Sequence, residues 1–593
     1  MPFGAWFADG STRFRVWAPA HGAVRLKIEG RDELLDMSTA ENGFHEVTTS
    51  LAIPGSTYRY VLSDDLEIAD PVSRHQPEDV AGPSEVIDPA AYRWRDTAWL
   101  GRPWSTAVVY ELHVGAFTEE GTFRAAIGKL PALAKLGVTV IELMPIADFP
   151  GKRNWGYDGV LLFAPDSSYG RPDDLKRLID AAHGLGLAVI LDVVYNHFGP
   201  EGNVLPACTP AIFTDRHHTP WGAAVNYDGE ESGAVRELVI HNALYWIEEF
   251  HFDGLRLDAV HSILDDSPEH VLLELARRVR ASAPQRQIHL LVENEENDAD
   301  LIGDRGQGTD KVYDAQWNDD VHHVLHAAAT GEGNGYYADY LGQPSKLARA
   351  LAEGFAFQGE VMQFRGTERG KPSAHLHPTA FVAFIQNHDQ VGNRAFGERI
   401  SALANPERLQ AVSAIYLLLP QIPMLFMGEE WGATQPFLFF ADFDGELAEA
   451  LRVGRRQEFA KFPEFADPAM RERIPDPQAE ETFLASKLDW DQRDAVEHVS
   501  QLERYRRLLQ IRRTEIVPLL ESIKWAGRYR ALEAGGVIVE WAATDRVLQL
   551  TANLSDRTVE VPAPAGRQLW AEKEITVLGS CAPWAVRWAL LPA

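Results

Sequence analysis

The sequence predicts an α/β fold: a (β/α)8 TIM barrel, preceded by a β-sandwich and followed by a smaller β domain. Three observations lead to this prediction. Apolar runs alternate with helical segments from about residue 105 to residue 513, which is typical of repeated β–α units. Short strands with alternating polar and apolar residues lie on both sides of that region. No Gly-x-Gly-x-x-Gly motif follows an early strand, which argues against an open nucleotide-binding sheet.

Residues 1–91 are predicted to form the N-terminal β-sandwich. Residues 12–19 and 23–28 alternate polar and apolar side chains, as strands with one buried face do. The pair Asn42-Gly43 is a turn signal between such strands. A stretch rich in Pro, Asp and Trp, residues 88–104, then predicts a linker.

Residues 92–513 are predicted to form the barrel, and residues 514–593 the C-terminal β domain. Continuous apolar runs indicate parallel strands that are buried on both faces. We expect barrel strands within 107–114, 138–145, 187–194, 252–261, 288–293, 381–385 and 423–427. Helices are expected at 122–136, 172–184, 407–419 and 498–513, and C-terminal strands at 537–541 and 547–550.

The composition limits the partners and the compartment. The chain carries 86 acidic residues against 56 Lys and Arg, for a net charge of −30. Such a surface repels phosphate backbones and anionic lipids, so we expect no nucleic acid and no membrane partner. Cys208 and Cys581 lie far apart without metal-ligand spacing, which excludes a disulfide framework and favours a reducing compartment. No signal peptide is visible, so a cytoplasmic location is predicted.

Charged residues gather where the predicted strands end. Asp192 ends the third strand, Arg256 and Asp258 end the fourth, Glu293 ends the fifth and Asp389 follows the seventh. The carboxyl-terminal strand ends are where barrel enzymes carry out their chemistry. Each residue alone is also typical of a structural ion pair, helix cap or turn. Together, three carboxylates without a metal-ligand set predict glycosidic chemistry, which needs a nucleophile and a general acid.

The surroundings of two carboxylates predict their roles. Arg256 lies two residues before Asp258 on a strand, so both side chains share a face and Asp258 is expected to stay ionised. Glu293 ends an apolar strand, where burial favours the protonated form. Glu295 is an alternative acid nearby, but Glu293 is preferred because it directly follows the apolar run.

The strand-end motifs resemble those of the α-amylase family of glycoside hydrolases. Residues 192–197 and 254–258 are similar to two of its signatures, and residues 387–389 match a third. Residues 14–19 are similar to the N-terminal β-sandwich of glycogen-branching and debranching relatives. The resemblance implies that Asp258 is the nucleophile, Glu293 the general acid and base, and Asp389 the stabiliser of the transition state. It implies no cofactor and no catalytic metal, while Asn196 leaves a structural calcium open.

The resemblance also implies a set of substrate-binding residues. Tyr157 would stack on the sugar at the cleavage point, and Trp317, in a predicted loop at 314–318, would be a sugar platform. The alternative for Trp317 is a packed side chain in a β-turn. The full predicted set is Tyr157, His197, Arg256, His261, Asp314, Gln316, Trp317, Asn318, Asn387, His388, Gln390 and Asn393.

Longer segments narrow the resemblance to one subgroup of that family. These segments are residues 109–115, 154–159, 196–203 and 386–394. The subgroup hydrolyses the α-1,4 bond next to the terminal trehalose unit of maltooligosyl trehalose, so the implied partners are that substrate and related α-glucans. One alternative is a branching-type transferase with the same three carboxylates. Another is a non-catalytic glucan-binding barrel, which predicts a missing carboxylate, yet all three are present.

Overall fold

The computed structural model describes residues 3–302, 312–462, 465–532 and 535–593. At its centre eight parallel strands close into a barrel, which confirms the predicted fold class. The closure pairs the first strand with the last, with Val109 in register with Met424. We number the strands β1–β8: Val109–Leu112, Val140–Leu143, Ala188–Val193, Gly254–Leu257, His289–Val292, Ala315–Trp317, Phe381–Ala383 and Ile422–Phe426.

The sixth strand corrects the sequence prediction. Residues 314–318 were expected to form a substrate-binding loop, but Ala315–Trp317 is β6 and pairs with β5 and β7. The strand has only three residues, and Gln316 stands in its middle, so it produces no apolar run. Six of the other strands lie within the predicted segments, and β8 begins one residue before its segment, at Ile422.

Helices surround the barrel. The predicted helix at 172–184 is confirmed as Pro172–Gly184, whereas the segment 122–136 is divided into two helices, with a Pro in the first turn of the second. The closing helix is Val496–Ile511. The helices are Val114–Phe117, Phe123–Ile127, Leu130–Leu136, Pro172–Gly184, Leu205–Cys208, Ser232–Glu248, Val271–Ser282, Asp319–Thr330, Pro344–Glu353, His388–Gly392, Ile400–Leu403, Pro406–Tyr416, Gly445–Phe459, Pro468–Arg471, Glu480–Ala485, Val496–Ile511 and Val517–Leu520.

The N-terminal strands form two antiparallel sheets, as a β-sandwich requires. Inward side chains such as Phe14, Leu26 and Tyr58 form a core of their own. Asp70 is fully buried there, and it accepts hydrogen bonds from the hydroxyls of Tyr58 and Tyr60. The strands are Trp6–Ala8, Ser11–Trp17, Ser38–Thr39 and Phe44–Thr49 in one sheet, and Arg25–Ile28, Leu34–Asp36, Thr57–Val61, Glu67–Ile68 and Ser84–Glu85 in the other.

The C-terminal region is also β-rich. Its main sheet is antiparallel and five-stranded, and the two strands predicted there lie within it. The strands are Arg528–Ala531, Gly536–Ala542, Arg546–Asn553, Val586–Pro592 and Arg567–Glu572, with a separate pair of Val559–Glu560 and Ser580–Cys581. The boundaries at residues 91 and 513 stay predictions. Among the described residues no helix has both the length and the apolar character needed to cross a bilayer.

Two hairpins in the connections between barrel strands lie on the same side as the strand ends. The connection after β2 contains the pair Ala147–Asp148 and Leu161–Pro165. The connection after β3 contains Phe213–Thr219 and Gly222–Val225, which place Trp221 at their tip. A third hairpin, Glu360–Met362 with Thr367–Arg369, follows β6.

The barrel interior changes from apolar to charged along its axis. Val109, Val140, Ile190 and Met424 contribute to an apolar cluster inside the strands. Side chains alternate along a strand, so residues two positions further on face the same interior. On β1, β2 and β3 those positions carry Glu111, Glu142 and Asp192, and β4 contributes Arg256, all at most 3% exposed, whereas β8 carries Phe426. This charged layer supports the carboxyl-terminal rim.

Candidate active site

Arg256 is the centre of the site. Its Nη1 lies 2.6 Å from Asp192 and 2.9 Å from Asp258, and its Nη2 lies 2.6 Å from Glu293. The guanidinium is fully buried, and it lies 4.0 Å above the ring centre of Trp317. One planar cation therefore holds carboxylates from three consecutive strands, a geometry that the fork of an Arg side chain allows.

Asp258 and Glu293 lie in environments that separate their roles. Burial raises the pKa of Asp258 overall, against the opposing charge of Arg256; the charge of Asp192 raises it further, while the amide of Asn196 and a hydrogen bond with Glu293 lower it. Burial also raises the pKa of Glu293 against the opposing charge of Arg256, and there the charge of Asp258 and the same hydrogen bond raise it further. The proton of the pair therefore resides on Glu293. Arg256 contacts Asp258, as the strand alternation predicts, and the same cation also contacts Glu293.

The structure distinguishes Glu293 from Glu295. Glu293 accepts the backbone N–H of Ala259 at 3.1 Å in addition to its contact with Arg256. The Glu295 side chain is 57% exposed, and its carboxylate lies 3.8 Å from both His261 and Arg365. Only Glu293 is therefore held within the charged layer.

Asp389 lies on the opposite side of the site, after β7. Its side chain is 36% exposed, and Oδ1 is 3.5 Å from Nε2 of His388. Asn393 donates to the same carboxylate at 3.1 Å. The other ring nitrogen of His388 lies 2.5 Å from Glu111.

Tyr157 and His197 line the rim of the site, each stacked on another ring. The Tyr157 hydroxyl donates to Asp192 at 2.7 Å, and its ring stacks on His388 with a centroid separation of 5.0 Å. His197 stacks on Trp221 at 4.8 Å with an angle of 9° between the rings. Burial lowers the pKa of His197, so its ring is neutral near pH 7.

Three more predicted residues lie at the site's edge. The side chain of Asn387 caps the helix His388–Gly392 by accepting the backbone N–H of Gln390 at 2.9 Å. The Gln390 amide donates to Asp319 at 3.3 Å. His261 Nδ1 accepts the backbone N–H of Glu295 at 3.3 Å.

Four predicted substrate contacts are wrong, because they belong to β6 and its flanks. Asp314 precedes β6, where it pairs with Arg280 at 3.0 Å at the end of the strand away from the site. Trp317 is 1% exposed under Arg256, so it cannot be a sugar platform. Gln316 is fully buried and donates to the Asn294 carbonyl and to the Asn297 side chain, and Asn318 is fully buried against Gly354 and Gln421.

The sequence interpretation missed several site residues. Glu111 lies within an apolar run, and only the barrel closure shows that it faces the interior and reaches His388. Asp319 lies two residues after the end of β6; burial, together with the charge of Glu293, raises its pKa to about 8. Asp192 and Asn196 were recognised only as parts of a motif, although both contact the central network. Trp221 had no signal, because a Trp at a hairpin tip resembles any surface residue.

An eight-stranded parallel barrel with this carboxylate network defines a glycoside hydrolase of the α-amylase class. In agreement, the family model of the alpha-amylase catalytic domain matches residues 92–207. A second model, a domain of unknown function called DUF3459, matches residues 524–588.

Similarity to individual proteins extends over nearly the whole chain. Malto-oligosyltrehalose trehalohydrolase from Deinococcus radiodurans is 44% identical over 85% of this chain and 82% of its own. The protein of the same name from Saccharolobus solfataricus is 42% identical, over 86% and 87% of the two chains. A crystal structure from Salmonella typhimurium, named as a candidate alpha amylase, is 47% identical with a TM-score of 0.94 over 99% of each chain. The chain belongs to the malto-oligosyltrehalose trehalohydrolase family.

Proposed function

We propose that this protein hydrolyses the α-1,4 bond next to the terminal trehalose unit of maltooligosyl trehalose and releases trehalose. The family membership supports this function, since its relatives carry that activity in their name. The observation that carries the proposal is the placement of Asp258 and Glu293 on the one guanidinium of Arg256. Related α-glucans are the wider substrate class.

Asp258 acts as the nucleophile in this proposal. Its carboxylate forms a bond to the anomeric carbon as the bond from that carbon to O4 of the trehalose unit breaks. Glu293 gives its proton to this leaving oxygen, so free trehalose departs while the maltooligosyl chain stays on Asp258. Arg256 stabilises the negative charge of both carboxylates as the proton moves.

Water completes the reaction. Glu293, now a carboxylate, removes a proton from a water molecule, which attacks the anomeric carbon and releases Asp258. Asp389 stabilises the positive charge that develops on the sugar ring in both steps, and His388 and Tyr157 line the same subsite. The residues in this mechanism need no cofactor.

The nearest alternative is a branching-type transferase, in which a glucan hydroxyl replaces water. Incubation with maltooligosyl trehalose, followed by chromatography of the products, separates the two. Hydrolysis predicts free trehalose and a shortened maltooligosaccharide. New α-1,6 linkages without free trehalose would contradict the proposal. A maltooligosaccharide of equal length is the matched control substrate, and an Asp258→Asn variant controls for contaminating activity.

A further inference from the structure

Glu111, on β1, holds His388 from inside the barrel. Its Oε1 lies 2.5 Å from Nδ1 of the His388 ring, and its Oε2 accepts the backbone N–H of His388 at 3.1 Å. Both side chains are 1% exposed. Because one carboxylate contacts the ring and the backbone of the same residue, it determines the rotation and the height of the ring.

The other side of the ring faces the site. His388 Nε2 lies 3.5 Å from Asp389, the Tyr157 ring stacks on one face, and the edge of Trp155 packs at a centroid distance of 5.4 Å. We propose that Glu111 is a positioning residue for glucan cleavage, which orients His388 so that Nε2 is directed at Asp389 and at the bound sugar. This inference rests on the function proposed above. Glu111 itself touches no substrate, because His388 lies between them.

The same contact sets the charge of the ring. Burial alone would lower the pKa of His388, but the charges of Asp389 and Glu111 and the hydrogen bond to Glu111 raise it to about 9, against an opposing effect of Arg256. His388 is therefore an imidazolium at neutral pH, and its Nε2 is a donor. The titratable and charged groups around it are Glu111, His113, Glu142, Tyr157, Asp192, Arg256 and Asp389.

Glu142 on β2 is a natural control for Glu111. The two residues are in register on neighbouring strands, and each is 1% exposed. Neither oxygen of Glu142 has a hydrogen-bond partner among the described residues. Burial raises the pKa of Glu142 well above its usual range, and the charges of Glu111 and Asp192 raise it further. Glu142 is thus a neutral acid, whereas Glu111 is paired with a cation.

Amide substitutions separate the two residues. Glu142→Gln replaces a neutral acid by a neutral amide of the same shape, so activity within about twofold of wild type is expected. Glu111→Gln removes the charge that orients His388, and we expect kcat to fall about 10- to 100-fold with little change in KM, as for other partners that orient a functional His. The loss of kcat in Glu111→Gln should grow with rising pH. Without the charge of Glu111 the pKa of His388 is lower, so the ring loses its proton at a lower pH than in wild type.

The titration of His388 gives a readout independent of activity. NMR of His-labelled full-length protein, with the signal assigned by a His388→Gln variant, should show titration near pH 9 in wild type and Glu142→Gln. In Glu111→Gln it should move toward the ordinary value of 6.5. An unchanged titration in Glu111→Gln, or an equal loss of kcat in both amide variants, would overturn the inference.

Two further outcomes also bear on the role of Glu111. If Glu111→Gln does not fold, the wild-type titration decides, since a neutral His388 at pH 7 would contradict the inference. If wild type releases no trehalose, the proposed function fails, while the shift of the His388 titration still tests the contact with Glu111.

Discussion

Asp258 Oδ1 lies 2.9 Å from Nη1 of Arg256, in a buried contact between a residue of β4 and the residue that directly follows the strand. The strand alternation that directs both side chains into the barrel makes this pairing a consequence of the local sequence. The same guanidinium also reaches Glu293 on the next strand. The contact between Arg256 and Asp258 is therefore part of a network that spans three strands. This network holds the nucleophile, Asp258, and the general acid, Glu293, close together.

Arg256→Lys should disrupt this network without removing its charge. A single ammonium cannot contact Asp192, Asp258 and Glu293 in the geometry of a planar fork. We expect kcat/KM to fall at least about 100-fold because the carboxylates shift, and the free energy of unfolding to fall by about 3–5 kcal/mol. Steady-state kinetics and chemical denaturation measure the two effects.

Arg286→Lys is the matched control for that substitution. Arg286 contacts Asp253 at 3.2 Å, just before β4 and away from the strand ends that carry the site. It should lose stability and keep kcat. A similar loss of kcat in both variants would show that Arg256 acts only through stability.

The two neighbouring acids, Glu293 and Glu295, should differ in their contribution to turnover. Glu293→Gln removes the proton donor, so we expect kcat to fall about 100- to 10,000-fold on maltooligosyl trehalose. Glu295→Gln changes an exposed side chain and should leave kcat within about twofold of wild type. The reverse order of effects would move the general acid to Glu295.

Substitutions at Trp317 and Trp221 should have opposite effects: one should lower stability and the other should weaken substrate binding. Trp317→Phe leaves a cavity beneath Arg256 and should lower the free energy of unfolding by about 1–3 kcal/mol, with KM unchanged within about twofold. Trp221 is 51% exposed and stacks on His197, so Trp221→Ala should raise KM with little effect on stability. A raised KM for Trp317→Phe with unchanged stability would restore Trp317 as a sugar platform.

Stability should depend on pH through Asp96, which joins the predicted linker to the barrel. Burial acts to raise the pKa of Asp96, but hydrogen bonds from His183 and His251 outweigh it and lower the pKa to about 2. A carboxylate with a lowered folded-state pKa stabilises the protein above its unfolded pKa of 3.8, and this contribution is lost as the pH falls toward 2. We expect Asp96→Asn to cost about 1–3 kcal/mol near pH 5.

At higher pH, the pKa of His183 sets the limit of the stabilisation that Asp96 provides. Burial acts to lower that pKa, yet the hydrogen bonds to Asp253 and Asp96 raise it overall. This stabilisation is fully present below the unfolded pKa of 6.5 and is lost above the folded-state value. Chemical denaturation from pH 2 to pH 9 should therefore show the largest difference between wild type and Asp96→Asn at pH 4–6. A difference independent of pH would contradict this account.

Much of the fold and the centre of the site followed from local patterns. Buried parallel strands produce apolar runs, and Asp258, Glu293 and Asp389 stand where those runs end. The sequence did not predict the short β6, because its pairing with β5 and β7, and not its own composition, makes it a strand. The contact between Glu111 and His388 was not predicted for a related reason. Their separation of 277 residues is closed only by the barrel, and no local pattern reports it.

The most direct test of the central claim, that Asp258 forms a covalent glycosyl-enzyme which Glu293 helps to resolve, is mass spectrometry of Glu293→Gln after incubation with α-maltosyl fluoride. Fluoride leaves without an acid, so the first step proceeds, while hydrolysis of the intermediate lacks its base. The account predicts a maltosyl adduct on the peptide that contains Asp258, and none in Asp258→Asn/Glu293→Gln. An adduct on another carboxylate, or an adduct that persists in the double variant, would contradict it.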